Sequence, residues 1–146
     1  MNDAYGAATR VPELLRRLAE EKGRKWTAAL DDLANRVNHQ GAITPAAIPA
    51  APFLVELMRQ AQGGARAPLL GLLGNLAVGG DHTQFLSVGF EGRRKELQQG
   101  NERDPFKLVH DAVAAGIDTY LELLAAEDTA VRANAAFVVA FLTGQA

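Results

Sequence analysis

Pro12-Glu-Leu-Leu-Arg-Arg-Leu18 and Pro52-Phe-Leu-Val-Glu-Leu-Met58 are two versions of one helical phrase, set forty residues apart. The same shift places Gly23 on Gly63, Leu30 on Leu70, Leu33 on Leu73 and Asn35 on Asn75. A shift of sixty-six places Glu56 on Glu122, Leu57 on Leu123, Arg66 on Arg132, Ala67 on Ala133 and Leu76 on Leu142. Self-similarity at a period near forty, with two helical patterns per period, marks a helical solenoid. In such a chain each helix pair buries its apolar face by stacking on the next. The expected fold is therefore all-α, an α-α superhelix of about three helix pairs forming a single domain over residues 1–146. The copies fall at about 11–38, 46–78 and 108–143. Sixty-six exceeds forty by twenty-six, so a long insertion, 81–107, separates the second copy from the third.

Composition points the same way. Hydrophobic residues make up 48% of the 146, enough for a packed core and too many for a disordered chain. Alanine and leucine dominate, which favours helix over sheet. The net charge of −2 removes the electrostatic case for a nucleic-acid partner. The charge is uneven: residues 108–146 hold one cation, Arg132, against Asp111, Asp118, Glu122, Glu127 and Asp128. A basic partner surface is conceivable there, although a solvated acidic face is the simpler reading. The absence of cysteine excludes disulfides, thiolate-bound zinc and thiol catalysis. No run approaches eighteen apolar residues, so no membrane span is expected. Residues 1–10 show no basic-then-apolar signal pattern and read as a loose leader; the cytoplasm is the expected compartment.

Within the copies, Val11–Glu21 reads as the first helix, with Pro12 in its first turn and Gly23 as its stop. A second runs from about Arg24 to Asn38, with Trp26, Ala29, Leu30, Leu33 and Val37 at helical spacing. Residues 43–51, punctuated by Pro45 and Pro49, read either as loop or as a helix with early prolines. Helices then cover about Pro52–Gln62 and Ala65–Ala77. Gly71 and Gly74, three apart on one helix, each cost about 1 kcal/mol relative to alanine, so close approach of a neighbouring helix is expected there. In the insertion, Gly92–Gln99 reads as helix. Pro105 opens the fifth main helix, which runs on or bends at Gly116. Asp128 caps the last, from Thr129 to about Leu142. That helix is apolar almost all round, so either the insertion folds over it or the 129–142 face meets another subunit as a homo-oligomer.

The stretch Tyr120–Leu142 resembles a HEAT repeat: a Leu-rich helix, a short turn with Asp128, then Val131-Arg132 and an Ala-rich helix. Asn38-His39-Gln40-Gly41 followed by Pro52–Leu57 is similar to small bacterial HEAT-like proteins. The resemblance covers about residues 11–80 and 117–143. It implies an inter-repeat structural role for Asp128 and Arg132, with Arg66 as the counterpart of Arg132. It also implies a protein-binding scaffold without catalysis or cofactor, including inhibitor or immunity-type partners. Helical-repeat DNA glycosylases and bilin lyases belong to the same broad family, so a small enzyme or ligand binder of that kind is the alternative.

No residue cluster supports that alternative. His39, His82 and His110 lack metal-ligand spacing, and no metal site is expected. Ser87 sits in Phe85-Leu-Ser-Val-Gly89, without the first glycine of a nucleophile elbow. Gly89-x-x-Gly92-Arg-Arg-Lys95 has the wrong spacing for a phosphate loop. Asp31-Asp32 and Glu20-Glu21 are sequence neighbours, as on a solvated helix face, not two carboxylates facing across a cleft. Phe85 and Phe90 stand beside Arg93 and Arg94 in the insertion, and these are residue types enriched at binding hot spots. The expected partner-binding residues are therefore Asn38, His39 and Gln40 on an inter-helix rim, with His82, Phe85, Phe90, Arg93 and Arg94 in the insertion. The expected surface is the concave helix face together with that insertion.

Overall fold

The computed structural model describes residues 2–3, 5–39, 42–79, 89–99 and 104–143, without the side chains of Asp3, Ala42, Gly89, Phe90 and Arg93. Among the described residues the chain is all-α apart from two short antiparallel ladders. Its helices are α1 (Val11–Glu20), α2 (Gly23–Val37), α3 (Ala47–Gln60), α4 (Arg66–Val78), α5 (Gly89–Gln99), α6 (Pro105–Ala114), α7 (Ile117–Leu123) and α8 (Thr129–Thr143). A single 3-10 turn, Gly63–Ala65, leads into α4. None of these helices is long and apolar enough to cross a membrane.

The core follows the copied leucines. Leu14 and Leu54 are buried at equivalent places on α1 and α3, as are Leu18 and Met58. Leu30 and Leu70, then Leu33 and Leu73, do the same on α2 and α4. Burial of each such side chain contributes about 1.5–3 kcal/mol relative to exposure. Helix α1 packs on α2 and on α3; α3 packs in turn on α4 and α6. At the centre, α4 also meets α6 and makes the most extensive contact of the fold with α8. Helix α4 is buried on nearly every side, from Leu69 and Leu70 to Ala77 and Val78, which its apolar sequence requires.

The repeat extends to the backbone. Gly23 and Gly63, forty residues apart, both take left-handed φ, +64° and +58°, at the start of the second helical segment of their copies. Only glycine adopts that conformation without strain. The bonds closing the preceding helices also match: Glu21 N–H to Arg17 O, and Ala61 N–H to Leu57 O. Pro49 and Pro52 lie inside α3, which starts at Ala47, so the Pro-rich stretch is largely helix and not loop. Pro49 falls in the first turn, where its missing N–H removes no intrahelical bond.

Gly71 and Gly74 mark the crossing of α4 and α8. A side chain at Gly74 would come within 2.9 Å of the Phe137 ring and 3.3 Å of Val138, and one at Gly71 within 3.6 Å of Asn134. The last helix is covered by α4, α7 and the insertion helix α5. Helix α5 begins at Gly89, earlier than Gly92, and buries Leu97. Residues 81–88 and 100–103 of the insertion lie outside the described residues.

One local feature departs from the sequence reading. The segment before α1 is not loose: β1 (Asn2–Asp3) pairs with β2 (Gly6–Ala7), and Asn2 O accepts from Ala46 N–H at 3.1 Å. Four-residue hairpins are invisible to periodicity because they contain no repeat of it. The fifth helix divides at Ala115–Gly116 into α6 and α7. The Tyr120 ring occupies the break: the buried phenol donates to Val113 O at 2.8 Å, and a side chain at Gly116 would meet its oxygen at 2.6 Å. Burial pushes the Tyr120 phenol well above its ordinary range.

Gly116→Ala should destabilise by about 1–3 kcal/mol in urea titrations, because the Tyr120 phenol is bonded and enclosed and cannot yield. Gly64→Ala, with open space around it and ordinary φ, should be neutral or slightly stabilising. Tyr120→Phe should cost about 1 kcal/mol at neutral pH. The folded phenol stays protonated where the unfolded one ionises, so wild-type stability falls as pH rises above about 10. Tyr120→Phe should remove that part of the alkaline slope.

Candidate functional site

The rim residues Asn38 and His39 form β3 (Asn38–His39), paired in register with Ile43 and Ala42 of β4 (Ala42–Ile43). Thr44 ties this hairpin to the end of α2 through its hydroxyl to Arg36 O, 2.7 Å, and its N–H to Val37 O. The Tyr5 ring meets His39 edge-on at 5.6 Å, and the Arg36 guanidinium stands 5.0 Å from the Tyr5 ring centre. Arg36 also donates to Asp32 at 2.8 Å, and Arg10 reaches the other oxygen of that carboxylate at 3.5 Å. Asn38 Oδ1 and His39 Nδ1 are buried atoms without a hydrogen-bond partner among the described residues. This corner is a packed joint between the first segment and α2, with both residues partly buried.

Of the other expected contact residues, only Arg94 has a described side chain. Gln40, His82 and Phe85 lie outside the described residues. Phe90 and Arg93 fall on α5, but their side chains lie outside the description. Arg94 is bound to Glu91 one turn earlier, and its hydrogen bond and charge hold that carboxyl below its ordinary range. Helix α5 packs on α6 and α8, whereas β3 packs on α2. His110 is buried at 3% exposure, with Nδ1 donating to Ala77 O at 3.0 Å and its ring edge against Phe141. It joins α6, α4 and α8 and serves packing.

The inter-repeat role inferred for Asp128, Arg132 and Arg66 is corrected by their bonds. Asp128 Oδ1 accepts from Val131 N–H at 3.1 Å, capping α8. Arg132 donates to Ala126 O, Glu127 O and Thr129 Oγ1 at 2.7, 2.8 and 3.2 Å. Arg66 donates to Ala61 O at 2.6 Å. Each arginine therefore reaches back five residues, to carbonyls just beyond the preceding helix. The reason is local: helix ends leave carbonyls without intrahelical donors, and a nearby guanidinium satisfies them. These bonds close the turn inside a helix pair and do not cross to the next.

Two grooves open on the surface. One lies between the α1–α2 turn and the α3–α4 turn, about 650 Å³ in volume, with Trp26, Lys22, Gln60 and Gln62 on its walls. Trp26 is half-buried and donates its indole N–H to Leu18 O at 3.1 Å, which accounts for its position structurally. The second groove runs between α1 and α3, about 490 Å³, with Pro12, Leu15, Pro49, Phe53 and Leu57 along it and Arg16 as its one charged residue. Phe53 is 61% exposed. The sequence held a signal for it. The position of Phe53 is Glu13 in the first copy and Thr119 in the third, so an aromatic stands where the repeat otherwise places polar side chains. Among the described residues, no three His, Asp or Glu side chains come together as a metal site.

No protein-family model, curated protein or solved structure matches the chain.

If Arg66 and Arg132 each close their own turn, Arg66→Ala and Arg132→Ala should each cost about 0.5–1.5 kcal/mol in chemical denaturation. The double variant should show the sum, since the turns share no partner. Coupling well above about 0.5 kcal/mol between them would contradict the turn-closing assignment.

Proposed function

We propose that this protein is a non-catalytic protein-binding module of HEAT-like helical-repeat architecture, with the groove between α1 and α3 as its binding surface. The carrying observation is Phe53, 61% exposed in an apolar groove at a repeat position that is polar in the other two copies. A bulky aromatic left in water contributes nothing to the core and raises the risk of aggregation, whereas aromatics of this kind anchor interfaces. The repeat architecture draws support from Gly23 and Gly63 in one conformation and from the like bonds of Arg66 and Arg132. An inhibitor or immunity-type partner is the specific version, and it rests on the family resemblance. The groove's lining holds no acid or histidine to act as a general base, which favours binding over the glycosylase- or lyase-like alternative.

A second reading has its own observation. Phe137 is 40% exposed on α8, beside the exposed Ala133 and Ala136, and no charged residue follows Arg132 on that helix. Self-association through α8 is the corresponding function, and a monomer in sedimentation velocity at micromolar concentration would exclude it.

Phe53→Ser should leave circular dichroism and melting temperature close to wild type, because the side chain lies mostly outside the core. In affinity capture with quantified stoichiometry, a partner held about one-to-one by the wild type should be lost from the variant, with binding weakened about tenfold or more. Equal capture by both proteins would refute the groove as the binding surface.

A further inference from the structure

The groove between α1 and α3 also constrains the kind of segment it can take, an inference that rests on the binding reading above. Its walls are chiefly the faces of α1 and α3, with Ala8 from the segment before α1 at one end, and the backbone groups along those faces are engaged in their own helical ladders. None of the described residues lining it belongs to a strand, so an extended peptide would enter an apolar trough with its backbone N–H and C=O groups unsatisfied. A helix brings those groups already bonded and offers only side chains. The trough lies between two packed helices, α1 and α3, and runs past Leu15, Phe53 and Leu57. That is the geometry in which a third helix lays a ridge into the groove of two others.

Charge narrows the partner further. Arg16 is exposed, lines the groove, and has no hydrogen bond or ion pair among the described residues. Its neighbour Arg17 is bonded to Glu21, and Arg10 and Arg36 share Asp32. The carboxylates one turn from Arg16 on α1, Glu13 and Glu20, neither pair with it nor line the groove. In the other two copies the position of Arg16 is acidic, Glu56 and Glu122. The one copy that borders the groove with Phe53 thus carries an unpaired cation where the repeat elsewhere has an anion. We propose that the groove takes an amphipathic helix of another protein, with apolar residues at i, i+3 or i+4, and i+7 against Leu15, Phe53 and Leu57, and an Asp or Glu against Arg16.

The test selects helix-permissive peptides from a displayed random library on the intact protein. Enriched sequences are then measured as synthetic peptides by fluorescence anisotropy against wild type, Phe53→Ser and Arg16→Glu. The expected peptides share the helical apolar spacing and one acid, and gain helical circular dichroism on binding. Arg16→Glu should weaken them about tenfold, and changing the peptide's acid to lysine should restore binding to that variant. Peptides that lose binding to Phe53→Ser yet are extended or basic would overturn this inference and leave the groove as a binding surface. An absence of enrichment, or peptides indifferent to Phe53→Ser, would overturn both. Melting curves of the two variants keep loss of binding distinct from loss of fold.

Discussion

Helix α4 has no polar face, and the rest of the structure is arranged around that constraint. After Arg66 it carries no charge, and Asn75 is its one polar side chain. Such a helix is unstable in water and must be enclosed. Helices α3, α6 and α8 do this, and the insertion helix α5 extends the cover over α6 and α8. The glycines at 71 and 74 make the enclosure possible, since a side chain at Gly74 would collide with Phe137 of α8. Two residues that weaken a helix in isolation thus permit the close crossing of α4 and α8. Their cost, about 1 kcal/mol each, is offset by the apolar area that the crossing buries.

The pairs that surround α4 are closed by two devices that recur with the sequence period. The first is a glycine in left-handed conformation, Gly23 and Gly63, which lets the chain reverse within a few residues. The second is an arginine that returns to the carbonyls left open just beyond the preceding helix, Arg66 and Arg132. Both work within a pair. Between pairs the buried contacts are apolar except at His110, bonded to Ala77 O and thereby joining α6 to α4; at the surface Arg59 of α3 donates to Ala115 O and Asp118 at 3.1 Å. The division of labour is physical. A turn exposes backbone groups and needs donors, whereas a helix face needs only complementary volume.

Much of the fold was legible because its signals are periodic. The paired leucines of α1 and α3, the glycine stops, the Asp128 cap and the close approach at Gly74 all follow from spacing and local propensity. The candidate site was less legible. Asn38 and His39 read as an inter-helix rim, but they pair in a hairpin too short to leave a pattern, and Tyr5 packs on His39 with Arg36 over the Tyr5 ring. Asp128 and Arg132 read as links between repeats, because an aspartate and an arginine at those places fit both a neighbouring pair and their own turn. Phe53 reads from the sequence as one more apolar residue of its helix. Only a comparison of the three copies, position by position, separates it from the buried leucines beside it.

The sequence alone determined that this chain is helical, where most of its helices begin and end, and that the repeated leucines face the core, since these depend on periodicity and on residues close in the chain. Only the tertiary structure decided which apolar residues remain uncovered, which partner each arginine takes, and that α1 and α3 leave a groove with Phe53 and an unpaired Arg16 along it. Those outcomes depend on how far apart two helices come to rest and on which groups lie across the gap. Distances of that kind are set by the packing of the whole core, to which no single stretch of sequence holds the information.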